Sequence, residues 1–268
     1  MLIEGGRIAK LDRGIVAPDA DIEDGAGAIV LPGLVDAHTH LDKTLLGMGW
    51  RPHQAGPSLL DRIENERRLK VEWNIDPHRQ SSRQAALAVA NGTTAIRSHV
   101  DVDTEIGLAG IEGVLATRED YRGIVDIELV AFPQSGVMCR PGTMDLLEAA
   151  LALGADVVGG IDPCMIDRDP KGQLDAIFKL AEVFGKPVDI HLHEPDELGA
   201  FSMELILERT RAHGMQGRVT ISHAFCLGMT DRQLAHGLVE QLAEERIAIA
   251  TVATAARPVP AAAELRAA

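Results

Sequence analysis

Hydrophobic and polar positions along this chain alternate between two kinds of segment. Short β-prone runs occur at Ala95–Val100, Val125–Phe132, Asp156–Ile161, Val188–His193, Val219–Ala224 and Ile247–Val252. Runs of this length, rich in Val and Ile and closed by Gly, Pro, Asp or His, read as buried parallel strands. Their midpoints advance by roughly 30 residues, the size of a strand, a crossover helix and two loops. Between them, apolar residues recur at helical spacing in Met144–Leu153, Leu174–Phe184, Met203–Ala212 and Asp231–Glu245.

An earlier strand is expected at Ile29–Asp36, followed by a long insertion from Leu41 to about Asp76 that carries the charged helical run Leu59–Lys70. Seven strand units alternating with helices predict a parallel sheet covered by helices, for which the (β/α)8 TIM-type barrel is the commonest closed form. A closed barrel needs an eighth strand, yet Ala261–Ala268 reads as the helix after strand seven. The expectation is therefore an α/β barrel lacking its eighth strand, C-terminally truncated. Residues 1–27, with Gly5, Gly6, Gly14, Gly25 and Gly27 between short β-prone pieces, read as the N-terminal part of a small β-sandwich domain, and residues 28–268 as the incomplete barrel.

Composition narrows the partners. With 46% hydrophobic residues in 268, the chain can bury a large core. Forty acidic against 26 basic side chains give a net charge of -14, which repels phosphate backbones and anionic lipid. Nucleic-acid polymers and membranes are poor partner candidates, and a small molecule is the better one. Met1–Lys10 lacks a signal-peptide pattern and no stretch approaches the ~20 apolar residues of a membrane span, so a cytoplasmic protein is expected. Cys139, Cys164 and Cys226 are odd in number and widely spaced, and read as free thiols.

The chemistry-bearing residues fall at the C-terminal ends of the predicted strands, where barrel active sites are assembled. His38 and His40, two apart on an extended segment, share a face and can reach one cation. Strand five ends His191-Leu192-His193-Glu194 and strand six ends Ser222-His223, so three strands bring histidine to one mouth. Neutral imidazole suits zinc and iron. His193 shares a face with His191, or is simply a loop residue. Glu194 lies close enough to shuttle a proton from a metal-bound water, or is a surface carboxylate. Gln134, in Ala131-Phe132-Pro133-Gln134-Ser135-Gly136, offers the donor and acceptor that an amide edge requires, though a loop Gln is often only solvated. The Gly-x-Ser-x-Gly, Gly-x-x-x-x-Gly-Lys and Gly-x-Gly-x-x-Gly patterns are absent, as is the Pro-Cys-x-x-Cys of small zinc deaminases.

Pro32-Gly33-Leu34-Val35-Asp36-Ala37-His38-Thr39-His40-Leu41-Asp42-Lys43 resembles the strand-one signature of the amidohydrolase superfamily. Arg97-Ser98-His99-Val100-Asp101, Ala131-Phe132-Pro133-Gln134, Gly154 to Gly159, Asp189-Ile190-His191 with Glu194, and Ser222-His223 follow in collinear order and resemble its cytosine-deaminase-like branch. The resemblance implies one divalent metal, zinc or iron, held by His38, His40 and His191. It further implies that Glu194 protonates a ring nitrogen, His223 orients or deprotonates the attacking water, and Gln134 holds the substrate's amide edge. Two-metal relatives carry a carboxylated Lys at the end of strand four; here Gly160-Ile161-Asp162-Pro163 stands there. A metal-facing Asp at the end of strand eight is the family feature not found, so reduced turnover or none is one expectation. The favoured reaction is hydrolytic deamination of a small aminated heterocycle such as cytosine, isocytosine or a related pyrimidine or triazine, releasing ammonia. The alternatives are removal of an N-alkyl amine, opening of a cyclic amide, and a non-catalytic relative. Uncovered apolar strand edges make a homo-oligomer one expected assembly.

Overall fold

A computed structural model describes residues 1–52 and 54–251. It resolves into two compact units, Met1–Pro32 and a second that begins at Gly33. In the first, β1 (Leu2–Glu4) and β2 (Arg7–Lys10) pair antiparallel, turning through Gly5 and Gly6 at φ of 57° and 74°. Two successive positive φ values fit the tight hairpin turn that glycine permits.

The second unit runs β3 (Leu34–Thr39), α1 (Leu59–Glu72), α2 (Pro77–Ala90), β4 (Thr93–Asp101), α3 (Ala109–Asp120), β5 (Asp126–Phe132) and α4 (Thr143–Leu153). It continues β6 (Val157–Ile161), α5 (Pro170–Phe184), β7 (Val188–Leu192), α6 (Asp196–Ala212), β8 (Val219–His223), α7 (Arg232–Glu244) and β9 (Ala248–Ala250). The seven strands β3 to β9 lie in sequential order, every neighbouring pair parallel. This is the helix-covered α/β barrel architecture the periodicity predicts. Strands β6 and β7 are buried along their whole length, as a sheet sandwiched between interior and helices requires. Leu129, Leu174, Ile177, Phe178, Ile190 and Met203 are fully buried in the layer between strands and helices. Burying side chains of this size contributes roughly 1.5–3 kcal/mol each.

Element boundaries depart from the apolar pattern where local chemistry overrides it. The first barrel strand begins at Leu34 rather than Ile29, because its partner β4 begins at Thr93 and pairing starts at Leu34 opposite Thr93. Ile29, Val30 and Leu31 are exposed, outside any strand. Helix α5 starts before its apolar stripe: the Asp169 carboxylate caps the Gly172 N–H at 2.9 Å and Pro170 opens the first turn. Helix α6 likewise starts at Asp196, with Asp196 and Glu197 at its positive end. Helices α2 and α3 pack closely on each other; a Cβ at Gly113 of α3 would fall 2.7 Å from Pro77 and from the His78 backbone of α2. The residues after 251, including Val252, Glu264 and the tail 261–268 expected to be helical, lie outside the described residues. No helix among the described residues is long and apolar enough to cross a membrane.

Candidate active site

The period-two alternation of strands stacks the interior side chains in layers. On β4, Arg97, His99 and Asp101 share the inner face; on β7, Asp189 and His191 do. The lower layer is ionic. Arg97 Nη1 donates to Asp189 Oδ2 at 3.0 Å and to Thr220 Oγ1 at 3.2 Å, and its Nε donates to Glu128 Oε2 at 2.6 Å. Above it sit the histidines.

His38, His99 and His191 place ligand nitrogens within 4.8 Å of one another, with ring centroids 4.1 to 4.7 Å apart. The expected pair His38 and His40 is only partly reproduced. β3 ends at Thr39, and the His40 ring stands 5.6 Å from each of His38, His99 and His191, at the rim of this group rather than within it. His99 is the site residue that strand-end reasoning did not assign. It lies inside a strand, not at its end, and its alternation with Arg97 and Asp101 is the signal that would have turned it inward.

His223 closes the group, 4.7 Å from His38 and 5.0 Å from His191. It follows Ser222 on β8 and would face away from the interior in a regular strand. Instead His223 and Ala224 take left-handed φ of 72° and 50°, and this turn brings its ring round to the others. Left-handed non-glycine residues are strained, and such strain collects at functional sites. Asp162, at φ of 31°, marks the end of β6 in the same way.

His38, His40, His191 and His223 are held neutral. Burial, with neighbouring His99 and His193, pushes His38 down to about 4; burial with His193, His38 and His99 pushes His223 down to about 3. Burial drives His40 and His191 well below the usual histidine range. The tautomer of His38 follows from its neighbours. Ser222 Oγ donates to Asp189 Oδ1 at 2.7 Å, so at 3.1 Å it accepts from His38 Nδ1–H, which leaves the lone pair on Nε2. Among the described residues, both nitrogens of His99 and His191 and the Nδ1 of His40 and His223 are buried without a hydrogen-bond partner. His99 Nε2 is 3.3 Å from Asp189 Oδ2, off the line of a hydrogen bond. His38, His99 and His191, with ligand atoms within 4.8 Å of one another and both nitrogens of the latter two unpartnered, form a donor set that fits a divalent cation.

A cleft of about 290 Å³ opens over this group, walled by His40, Phe132, Gln134, His191, His193 and His223. Its other wall is α1, through Leu59, Arg62, Ile63 and Glu66, so the charged run of the insertion covers the strand ends. Phe132 stacks on His191 at 4.1 Å. Gln134 is buried at the cleft wall, its Nε2 2.8 Å from Glu66 Oε1.

Glu194 does not line this cleft. Its Oε1 accepts the Cys164 and Met165 N–H groups at 2.7 and 2.8 Å, and its Oε2 accepts the Ser202 hydroxyl. Burial raises its pKa. A Cβ at Gly199 would fall 2.2 Å from the Glu194 carbonyl oxygen, so glycine there lets α6 close onto the strand end. His193 takes the cleft position instead. Its Nδ1 is 2.7 Å from Asp162 Oδ2, and since a carboxylate only accepts, Nδ1 carries the hydrogen and Nε2 is the free end.

Residues 21–268 match the amidohydrolase family. N-isopropylammelide isopropyl amidohydrolase of Pseudomonas sp. strain ADP is 35% identical over 234 residues, 84% of this chain and 57% of that protein. The crystal structure of N-isopropylammelide isopropylaminohydrolase from Burkholderia multivorans superposes with a TM-score of 0.87 at 51% identity, covering 94% of this chain and 64% of that one. The 5-methylcytosine deaminase of Klebsiella pneumoniae, liganded with 5-fluorocytosine, superposes at 0.71 and 29% identity, covering 90% of this chain and 60% of that one. The chain thus spans less than two thirds of the length of each of these relatives. Both the matched span and the strand order place it: the chain belongs to the amidohydrolase family.

Proposed function

We propose that this chain carries the metal-binding part of a hydrolase that releases an amine from a carbon of a nitrogen heterocycle, with an alkylamine as leaving group. The observation that carries the reading is the convergence of His38, His99 and His191, with His40 and His223 beside them, beneath a cleft of heterocycle size. The alkylamine is favoured by the 51% identity to an N-isopropylammelide isopropylaminohydrolase. Release of ammonia from a cytosine-like ring is the second reading, favoured by the likeness to 5-methylcytosine deaminase.

A zinc or iron ion held by His38, His99 and His191 would supply Lewis acidity that brings the ionisation of water toward neutral pH. The remaining work falls to side chains. His223, neutral and with Nδ1 unpartnered, accepts the proton of the attacking water. Gln134 fixes the ring edge. Water adds to the amine-bearing carbon, the C–N bond breaks, and the departing nitrogen needs one proton. Glu194, assigned that role by resemblance, has its carboxylate committed to two amides and a hydroxyl, so we assign the transfer to Nε2 of His193, which Asp162 holds toward the cleft. The proton that His223 takes from the water is handed on to this bare nitrogen, the two ring centroids being 4.4 Å apart, and from it to the departing amine. The net change is ring C–NHR plus water to a ring carbonyl plus RNH₂. The test is incubation of zinc- or iron-loaded protein with N-isopropylammelide and with cytosine, the released amine being identified by mass spectrometry. Isopropylamine is expected; ammonia from cytosine alone would favour the second reading, and no amine from either would overturn both.

A further inference from the structure

Beneath the histidines several bonds gather on one carboxylate. Asp189 of β7 is fully buried, and its Oδ2 accepts from Arg97 Nη1 at 3.0 Å. Arg97 also turns its Nε to Glu128, so one guanidinium serves two carboxylates and Asp189 keeps part of its negative charge. That charge meets the histidine layer at two points. Oδ1 accepts the Ser222 hydroxyl at 2.7 Å, and Ser222 Oγ in turn meets His38 Nδ1 at 3.1 Å. Oδ2 lies 3.3 Å from Nε2 of His99.

An imidazole that gives one ring nitrogen to a cation keeps its hydrogen on the other, and the group that accepts this hydrogen decides which end is given. For His38 the acceptor is Ser222, whose own hydrogen is spent on Asp189, so Nδ1 carries the hydrogen and Nε2 is the open end. His99 is the converse. Both of its nitrogens are buried, its Nδ1 has no hydrogen-bond partner among the described residues, and its Nε2 stands beside the Asp189 carboxylate. A buried N–H is costly away from an acceptor and favourable next to a carboxylate, which puts the hydrogen on Nε2 and leaves Nδ1 open. His191 has no such support: both its nitrogens are unpartnered and its ring is held by stacking on Phe132.

We propose that Asp189 is a positioning residue shared by two of the cation-binding histidines: through Ser222 it holds His38 with its hydrogen on Nδ1, and directly it holds His99 with its hydrogen on Nε2. The two rings then offer opposite ends, Nε2 of His38 and Nδ1 of His99, to one divalent ion, and the charge beneath them favours a cation. The inference rests on the reading of this site as a metal centre and deepens it, because the affinity for the ion then depends on residues that never touch it.

Two measurements on the zinc-loaded chain test this. Long-range proton–nitrogen correlation spectra of protein carrying isotope-labelled histidine show which ring nitrogen holds the hydrogen. Hydrogen on Nδ1 of His38 and on Nε2 of His99 is expected, and either ring in the opposite form overturns the proposal. Zinc affinity, read by competition with a chelating dye, is expected to fall about tenfold or more in Ser222→Ala and to stay within about threefold in Ser222→Thr, which keeps the hydroxyl. Asp189→Asn, which keeps the shape and removes the charge, is expected to lose more than Ser222→Ala, since both histidines are released. Thermal melts of the metal-free variants check folding; should Asp189→Asn fail to fold, the Ser222 variants and the spectra of the unmodified protein decide. Undiminished zinc affinity in a folded Ser222→Ala would show that the carboxylate only ties β4 to β7, and overturns the proposal. Amine release by a chain with either ring in the opposite form would sink this inference and leave the proposed reaction standing; the expected spectra and affinities without amine release would do the reverse.

Discussion

Glu194 and His193 are adjacent in sequence, yet their settings are opposite. Glu194 reaches back to the amides of Cys164 and Met165 in the loop after β6, and His193 reaches forward into the cleft. Truncating Glu194 to Ala would remove the acceptor of two partly buried amides, at a cost of up to about 1–3 kcal/mol each. Urea unfolding of Glu194→Ala is therefore expected to show a clear loss of stability at unchanged slope; an unchanged midpoint would mean that the carboxylate is free to face the cleft. The pair also marks how much of the site was legible. Histidines at strand ends announce themselves, because a strand's C-terminal end is where a barrel gathers its chemistry. The direction of Glu194 was not legible, since it depends on Ser202 and on amides about thirty positions away in the chain. His99 was hidden for another reason, lying inside a strand rather than at its end, so that only its alternation with Arg97 and Asp101 marked it before Asp189 and His191 of β7 are seen beside it.

At the scale of elements, α1 shows what the insertion after β3 is for. Its capping box, with Ser58 and Asp61 bonding each other's backbone N–H, fixes where the helix starts. Its far end is anchored by Lys70 on Asp101 and Asp103, which sets the register that brings Ile63 and Glu66 over the cleft. Removing one partner of a buried ion pair leaves an uncompensated charge, worth about 3–5 kcal/mol. Lys70→Met is expected to cost that much in unfolding free energy and to speed hydrogen exchange across Leu59–Glu72 ahead of the rest of the barrel. Exchange confined to global unfolding would show that Lys70 does not hold the helix down. Helices α2 and α3, which were not anticipated, pack through Ser81, Ala85 and Gly113, small residues whose close approach shows only when the two helices are side by side.

For the whole molecule, the seven parallel strands impose a vertical order on the interior: ion pairs below, histidines in the middle, carboxylates and lysines above. The lower layer matters to the middle one, because Asp189 fixes Ser222 and Ser222 fixes the tautomer of His38. The order was implicit in the period of roughly 30 residues, which fixes the parallel sheet, and in the alternation along each strand, which fixes the facing side chains. A site drawn from β3, β4, β7 and β8 exists only when those strands are assembled, so a cation bound there is linked to folding of the entire unit. At a free concentration of a hundred times its dissociation constant, such a ligand adds about 2.7 kcal/mol to the folded state. For a unit of this size that corresponds to a rise in Tm of roughly 5–11 °C. Zinc is expected to produce this rise, chelation to reverse it, and His191→Ala to abolish it. A zinc-dependent rise that persists in His191→Ala would mean that the ion binds elsewhere on the chain.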